Sequence, residues 1–208
     1  MKLVITIFII IISSISYASQ KAITDTGEEI ILYDDGTWEY SDKSNQSKNE
    51  ILTNENTFLK PESSNFLLKS TRTKSAYWIA SDKWNFKKAT NNAEAEYEFQ
   101  LKGGDLYGIS ISEGVAIPIE SLASIALENA KEAAPDAKII KQEYRIVNGF
   151  KVLYMEMKGT LQGIKFMYLG YYYSDDSGST QFLAYTGSSL VGKYKSEIND
   201  FLNGFVVQ

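Results

Sequence analysis

Apolar residues crowd the start of the chain, thin out between positions 41 and 65, and thereafter recur with periods of two or about 3.6. That pattern divides the sequence before any single residue is considered. At the start one cation, Lys2, precedes an apolar run over residues 3–12, and small and polar residues follow through Ala18. The order predicts a cleavable secretory signal peptide over residues 1–18, with Ser16 and Ala18 at positions −3 and −1 from the cut. The run is half the roughly 20 residues a membrane span needs, so the expectation is export and release, periplasmic or extracellular, rather than anchoring.

Residues 19–40 read as a short β-hairpin segment. Apolar alternation is broken at Asp25-Thr26-Gly27 and again at Asp34-Asp35-Gly36, and Gly after Asp supplies the positive φ of tight turns. Residues 41–65, rich in Ser, Asn, Lys and Glu, have the composition of a polar linker. From 66 to 208 the periodicity predicts one α+β domain. Tyr77-Trp78-Ile79 reads as a strand, Trp84 and Phe86 as the next, and residues 95–101 and 106–112 flank Gly103-Gly104-Asp105 as a hairpin. Leu122, Ile125, Ala126, Asn129, Ala130 and Ala133 then fall at helical spacing between Pro118 and Pro135.

Four strands follow at 139–147, 150–158, 164–173 and 180–186, the first two joined by Asn148-Gly149, a strong signal for a two-residue turn. Tyr194, Ile198, Phe201, Leu202 and Phe205 predict a closing amphipathic helix, with Gly204 placed to end it. Hairpin-joined strands interrupted by single helices imply a mainly antiparallel sheet with two amphipathic helices.

The order of these elements carries a resemblance. A Tyr77-Trp78-Ile79 strand followed by Trp84, a helix led by Ile117-Pro118, a meander opening on Tyr144-Arg145-Ile146-Val147-Asn148-Gly149 and a closing helix over 197–205 resemble the Mog1p/PsbP-like fold. Small exported bacterial proteins of the DcrB type are similar to it. The resemblance covers about residues 70–208 and rests on element order. Members of that fold do unrelated things, so it implies an accessory or binding module rather than an activity. Separately, the stretch from Leu32 to Tyr40 resembles a segment near the mature N-terminus of many exported bacterial proteins, which implies a cell-envelope setting.

Composition narrows the chemistry. The 208 residues include no His and no Cys. A Ser-His-Asp or Cys-His nucleophile, a zinc, copper or haem site ligated by His or Cys, and a redox dithiol are all excluded. Formal charge is −5, becoming about −6 once Lys2 leaves with the leader. Arg72 and Arg145 are the only arginines and no basic run occurs, so no nucleic-acid partner is expected. No cofactor is expected either.

What remains for an enzyme is a carboxylate pair. Counting outward from Asn148-Gly149 sets Val147 opposite Phe150 and Glu143 opposite Tyr154, with Glu156 diagonal to Glu143 and able to share its face. The plainer reading is solvated charge on a wet strand. The acidic turns Asp34-Asp35-Gly36 and Asp175-Asp176-Ser177-Gly178 read as turn chemistry, and no metal is assigned to them.

Aromatic residues offer the sharper candidates. Phe166, Tyr168 and Tyr172 alternate along the third strand of the meander, Tyr154 and Tyr185 are expected to add to the face opposite the helices, and Trp38 marks the N-terminal hairpin as a second contact. Such a platform suits stacking a sugar or peptide, or seating a partner. The alternative is a strand buried on both sides. The leading expectation is therefore a non-enzymatic exported accessory protein of the bacterial cell envelope that binds a protein or envelope component through an aromatic sheet face. A carboxylate-based, glycan-acting enzyme and a small-ligand carrier with a pocket between sheet and helix stand as alternatives.

Overall fold

The structure is a computed structural model and describes residues 19–23, 29–34, 37–40, 51–90 and 94–208. The predicted leader over 1–18 lies outside the described residues, as does the linker's first part, 41–50. The chain divides into two units, Met1–Glu50 and Ile51–Gln208. In the first, β1 (Ser19–Ile23), β2 (Glu29–Tyr33) and β3 (Trp38–Tyr40) form a three-stranded antiparallel sheet in chain order. The two breaks read in the sequence at 25–27 and 34–36 thus separate three strands, and residues 24–28 and 35–36 lie outside the described residues.

The second unit starts earlier than composition suggests. Residues 53–58, inside the predicted linker, form β4 (Thr53–Phe58), which pairs in parallel with the first strand of the meander. A polar edge strand has one face to solvent and reads like a linker, since only Asn54 and Phe58 in it are even partly covered. After it come β5 (Phe66–Lys69), β6 (Ser75–Ile79), β7 (Trp84–Lys88), β8 (Ala95–Leu101) and β9 (Leu106–Glu113). Helix α1 (Ile119–Ala133) follows, then the meander of β10 (Lys138–Val147), β11 (Phe150–Leu161), β12 (Ile164–Asp175) and β13 (Gly178–Gly187). The chain closes with α2 (Lys195–Leu202) and β14 (Phe205–Val207). Among the described residues no helix is long and apolar enough to cross a membrane.

An eight-stranded sheet runs β4-β10-β11-β12-β13-β9-β8-β7, antiparallel except at the β4 edge. Asn148 and Gly149 both have positive φ, +50° and +91°, and fix the β10/β11 register, with Glu143 opposite Tyr154 as counted from the turn. The expected α+β class, mainly antiparallel with two helices, is observed.

The two helices lie on opposite faces. Helix α1 packs on β10, β11 and β12 through Leu122, Ala123 and Ala126, above Leu153, Met155, Met157, Tyr172 and Leu183. Its inward stripe is turned from the expected one: Ile125 is 42% exposed, and Asn129 and Ala133 are exposed where the expected stripe would bury them. An alanine-rich helix offers two apolar stripes, and the one holding Leu122 and Leu127 buries more.

On the other face lie α2 and a small sheet of order β14-β6-β5, so the Tyr77-Trp78-Ile79 strand belongs to this cover rather than to the main sheet. The closing helix is also shorter than its apolar spacing predicts: it stops at Leu202, and Phe205 enters β14 beside Tyr77. Gly204 permits that exit because a Cβ there would stand 2.1 Å from the Trp78 carbonyl oxygen.

Side-chain contacts bind β4 to the rest, Asn54 Nδ2 among them, which donates to Glu143 Oε1 at 2.9 Å. The buried Arg145 guanidinium lies 4.5 Å from the Phe58 ring centroid and 3.4 Å from that of Tyr154, while Nε and Nη2 donate to Glu143 Oε1 at 2.6 and 2.5 Å. Asn148 accepts from the Lys60 backbone N–H at 2.7 Å and donates to the Asn203 and Phe205 carbonyls, each at 2.8 Å. A chain beginning at Phe66 should therefore be less stable than one beginning at Ile51 by on the order of 3 kcal/mol, the scale of losing a packed aromatic. Urea unfolding of the two fragments measures it, and equal stabilities would show that β4 contributes nothing.

Candidate functional site

Helix α1 spans only part of its face. Beyond it, on β12, β13 and β9, cross-strand pairing aligns Tyr168 with Tyr185 and Tyr185 with Tyr107, and Phe166 adjoins Tyr168 along β12. The result is a row of four half-buried rings. Centroids are 5.0 Å apart for Phe166 and Tyr168, 5.1 Å for Tyr168 and Tyr185, and 5.6 Å for Tyr185 and Tyr107, with the last pair 22° from parallel.

Near-parallel tyrosine rings this close cannot lie side by side in one plane. They stand on the sheet and stack across the strands, at about the 4.7–4.9 Å strand spacing. Along the Tyr168-Tyr185-Tyr107 part of the row the rings therefore cover one another's faces, which leaves little flat face there for stacking a sugar, while Phe166 stands at 83° to Tyr168. The row ends near a Lys87–Glu98 ion pair of 3.1 Å across β7 and β8.

The expected aromatic candidates separate. Phe166, Tyr168 and Tyr185 come together on the α1 side, not opposite the helices. Tyr172 shares that side but is 1% exposed, packed in the core under α1. Tyr154 lies on the other face, buried, with Arg145 over its ring and its hydroxyl donating to Glu156 at 2.9 Å. The reason is the two-sided cover: with a helix on each face, no sheet face lies opposite both. Trp38 is 54% exposed on β3 of the first unit. Tyr107 was not among the candidates. Its alternation with Ile109 and Ile111 is visible in the sequence, but the β9/β13 pairing that places it beside Tyr185 joins residues 78 positions apart, 185 minus 107.

Between this row and α1 runs a groove of about 220 Å³, lined by Ile109, Ile111, Met157, Leu183, Phe166 and Tyr168 on the sheet side and by Ala126, Ala130 and Ala133 on the helix. Small residues on the helix leave this space open.

Glu143 and Glu156 do share a face, as the register implies. Burial works to raise the Glu143 pKa, but hydrogen bonds from Asn54, Arg145 and Lys141 outweigh it and hold the carboxyl below its ordinary value. Glu143 is thus held ionised in an ion-pair cluster, the opposite of what a proton donor needs. Asp175 accepts from the Ser177 backbone N–H at 2.7 Å, as in an Asx turn.

Burial raises the Tyr168 pKa and, with the nearby Tyr168, Glu98 and Tyr107, pushes that of Tyr185 up to about 12. Tyrosine outside the fold titrates near 10, so the native state keeps protons that the unfolded chain releases. Stability should accordingly be complete below pH 10 and fall as pH rises toward 12. Urea midpoints at pH 9 and pH 11 measure the fall, which Tyr185→Phe should reduce; an unchanged fall would place that hydroxyl in water.

No family model matches the sequence, and no curated protein matches it. Solved structures do. The solution structure of the cyanobacterial PsbP protein CyanoP from Synechocystis sp. PCC 6803 superposes with a TM-score of 0.53 at 12% identity, covering 71% of this chain and 95% of that one. A protein of unknown function from Pseudomonas aeruginosa, PA94, gives 0.44 at 12% identity over 69% and 96%. The likeness to CyanoP bears out the PsbP-like fold expected from element order, and it concerns the fold alone.

Proposed function

We propose that this is a non-catalytic, exported accessory protein of the bacterial cell envelope, of the DcrB type, that binds a protein partner through the open half of its α1 face. The row Phe166-Tyr168-Tyr185-Tyr107 carries the reading. These rings are half-buried rather than sealed, and the three tyrosine hydroxyls have no hydrogen-bond partner among the described residues. Apolar ring bodies with polar tips, beside a charged rim at Lys87 and Glu98, are the composition of protein interfaces. Export is supported by the signal-peptide pattern. The non-catalytic part is supported by the lack of His and Cys and by the engagement of Glu143 with Arg145.

A photo-cross-linking residue at position 107, introduced in cells, should yield a discrete protein adduct. The same residue at the exposed Lys102 should not. Tyr185→Ala should reduce the adduct about tenfold or more, as expected for truncating an interface anchor worth roughly 2 kcal/mol. Adducts equally abundant from position 102, or indifferent to Tyr185→Ala, would sink the proposal.

A further inference from the structure

The groove beside α1 holds a polar group that the fold leaves unused. Gln181, on β13, lines it and is 8% exposed, yet its amide makes no hydrogen bond among the described residues. Its atoms are not sealed away, for the Ser110 hydroxyl is the one fully enclosed unpartnered side-chain group among the described residues. Gln181 as a residue is thus nine-tenths buried, while its amide stays accessible from the groove. A buried amide is normally paired, so this one is placed to pair with something that enters.

The surroundings define what that is. Ile109, Ile111, Met157, Leu183 and the alanines of α1 make the walls mostly apolar, and the exposed Asn129 of α1 is the other amide in the lining. Among the described residues no Lys or Arg lines the groove, and Glu94, exposed, is the one charged lining residue. An anionic head would meet no cation and would approach a carboxylate. A neutral amide, by contrast, both donates to and accepts from a glutamine amide in a matched pair. At about 220 Å³ the groove lies below the roughly 300–1,000 Å³ of drug-sized sites, and it holds about seven water-sized groups at roughly 30 Å³ each.

We infer that this groove is a binding site for a small neutral amphiphile: one short, unbranched aliphatic chain ending in an amide, with Gln181 pairing to the head and the space under α1 taking the chain. The site adjoins the tyrosine row but rests on a different observation, and either reading can fail without the other.

Heptanamide titrated into the full chain, followed by backbone amide NMR, should give saturable shifts confined to the groove-lining parts of β9, β13 and α1. Heptanoate at pH 7 should bind at least tenfold more weakly. Gln181→Met, which keeps length and apolar volume, should abolish that preference, and Ala130→Leu should fill the groove and weaken both compounds. Absence of saturable shifts with heptanamide, heptanoate binding as tightly, or a preference that survives Gln181→Met would each overturn the assignment. Should either variant fail to fold, the comparison of the two compounds on the unaltered protein decides alone.

Discussion

This wide sheet carries apolar side chains on both faces, and the described residues supply two α-helices with which to cover them. Eight strands at 4.7–4.9 Å spacing extend roughly 34 Å from first to last, whereas a helix with its side chains is about 10–12 Å across. One helix therefore covers two or three strands. On one face the shortfall is met by α2 together with the small β14-β6-β5 sheet, whose Tyr77 stacks on Phe182 at 4.5 Å, while Trp84 stacks on Phe201 at 4.4 Å. On the other face α1 stands over β10, β11 and β12, and among the described residues the strands beyond it have no helix of their own. The groove and the tyrosine row both follow from that arithmetic.

The cover on the α2 side explains why several polar groups are structural. Arg145, between two rings and bonded to Glu143, anchors the β4 edge, and Asn148 uses its turn position to tie the β4 end to the α2 and β14 junction. These groups engage each other, which leaves Glu143 stabilising an edge rather than available for proton transfer. The α1 side differs in kind. There the tyrosine hydroxyls and the Gln181 amide have no internal partners among the described residues, and the small alanine side chains keep space between helix and sheet. Unspent hydrogen-bonding capacity gathers where the cover is incomplete, and binding is the chemistry such a surface supports.

The two readings of that surface are complementary in scale. The tyrosine row is long, shallow and amphipathic, suited to a macromolecular partner. The groove is small, with mostly apolar walls and the Gln181 amide accessible from it, suited to a single short chain. Both depend on α1 lying mainly over β10, β11 and β12, and on Ala126, Ala130 and Ala133 occupying positions where larger side chains would close the gap.

Local signals in the sequence determined the elements of the second unit. Asn148-Gly149 set a turn and with it the Glu143-to-Tyr154 register, the apolar periods placed the meander and both helices, and the absence of His and Cys removed whole classes of chemistry. These properties depend on neighbours a few residues apart, where turn geometry and side-chain alternation suffice. Tertiary structure alone decided that polar residues 53–58 form an edge strand, that the helices take opposite faces, and that Tyr154 and Tyr185 therefore part. It also brought Tyr107 beside Tyr185, and left Gln181 facing open space. Each of these depends on which distant strands pair and on how far a helix reaches across them, and no local spacing encodes that.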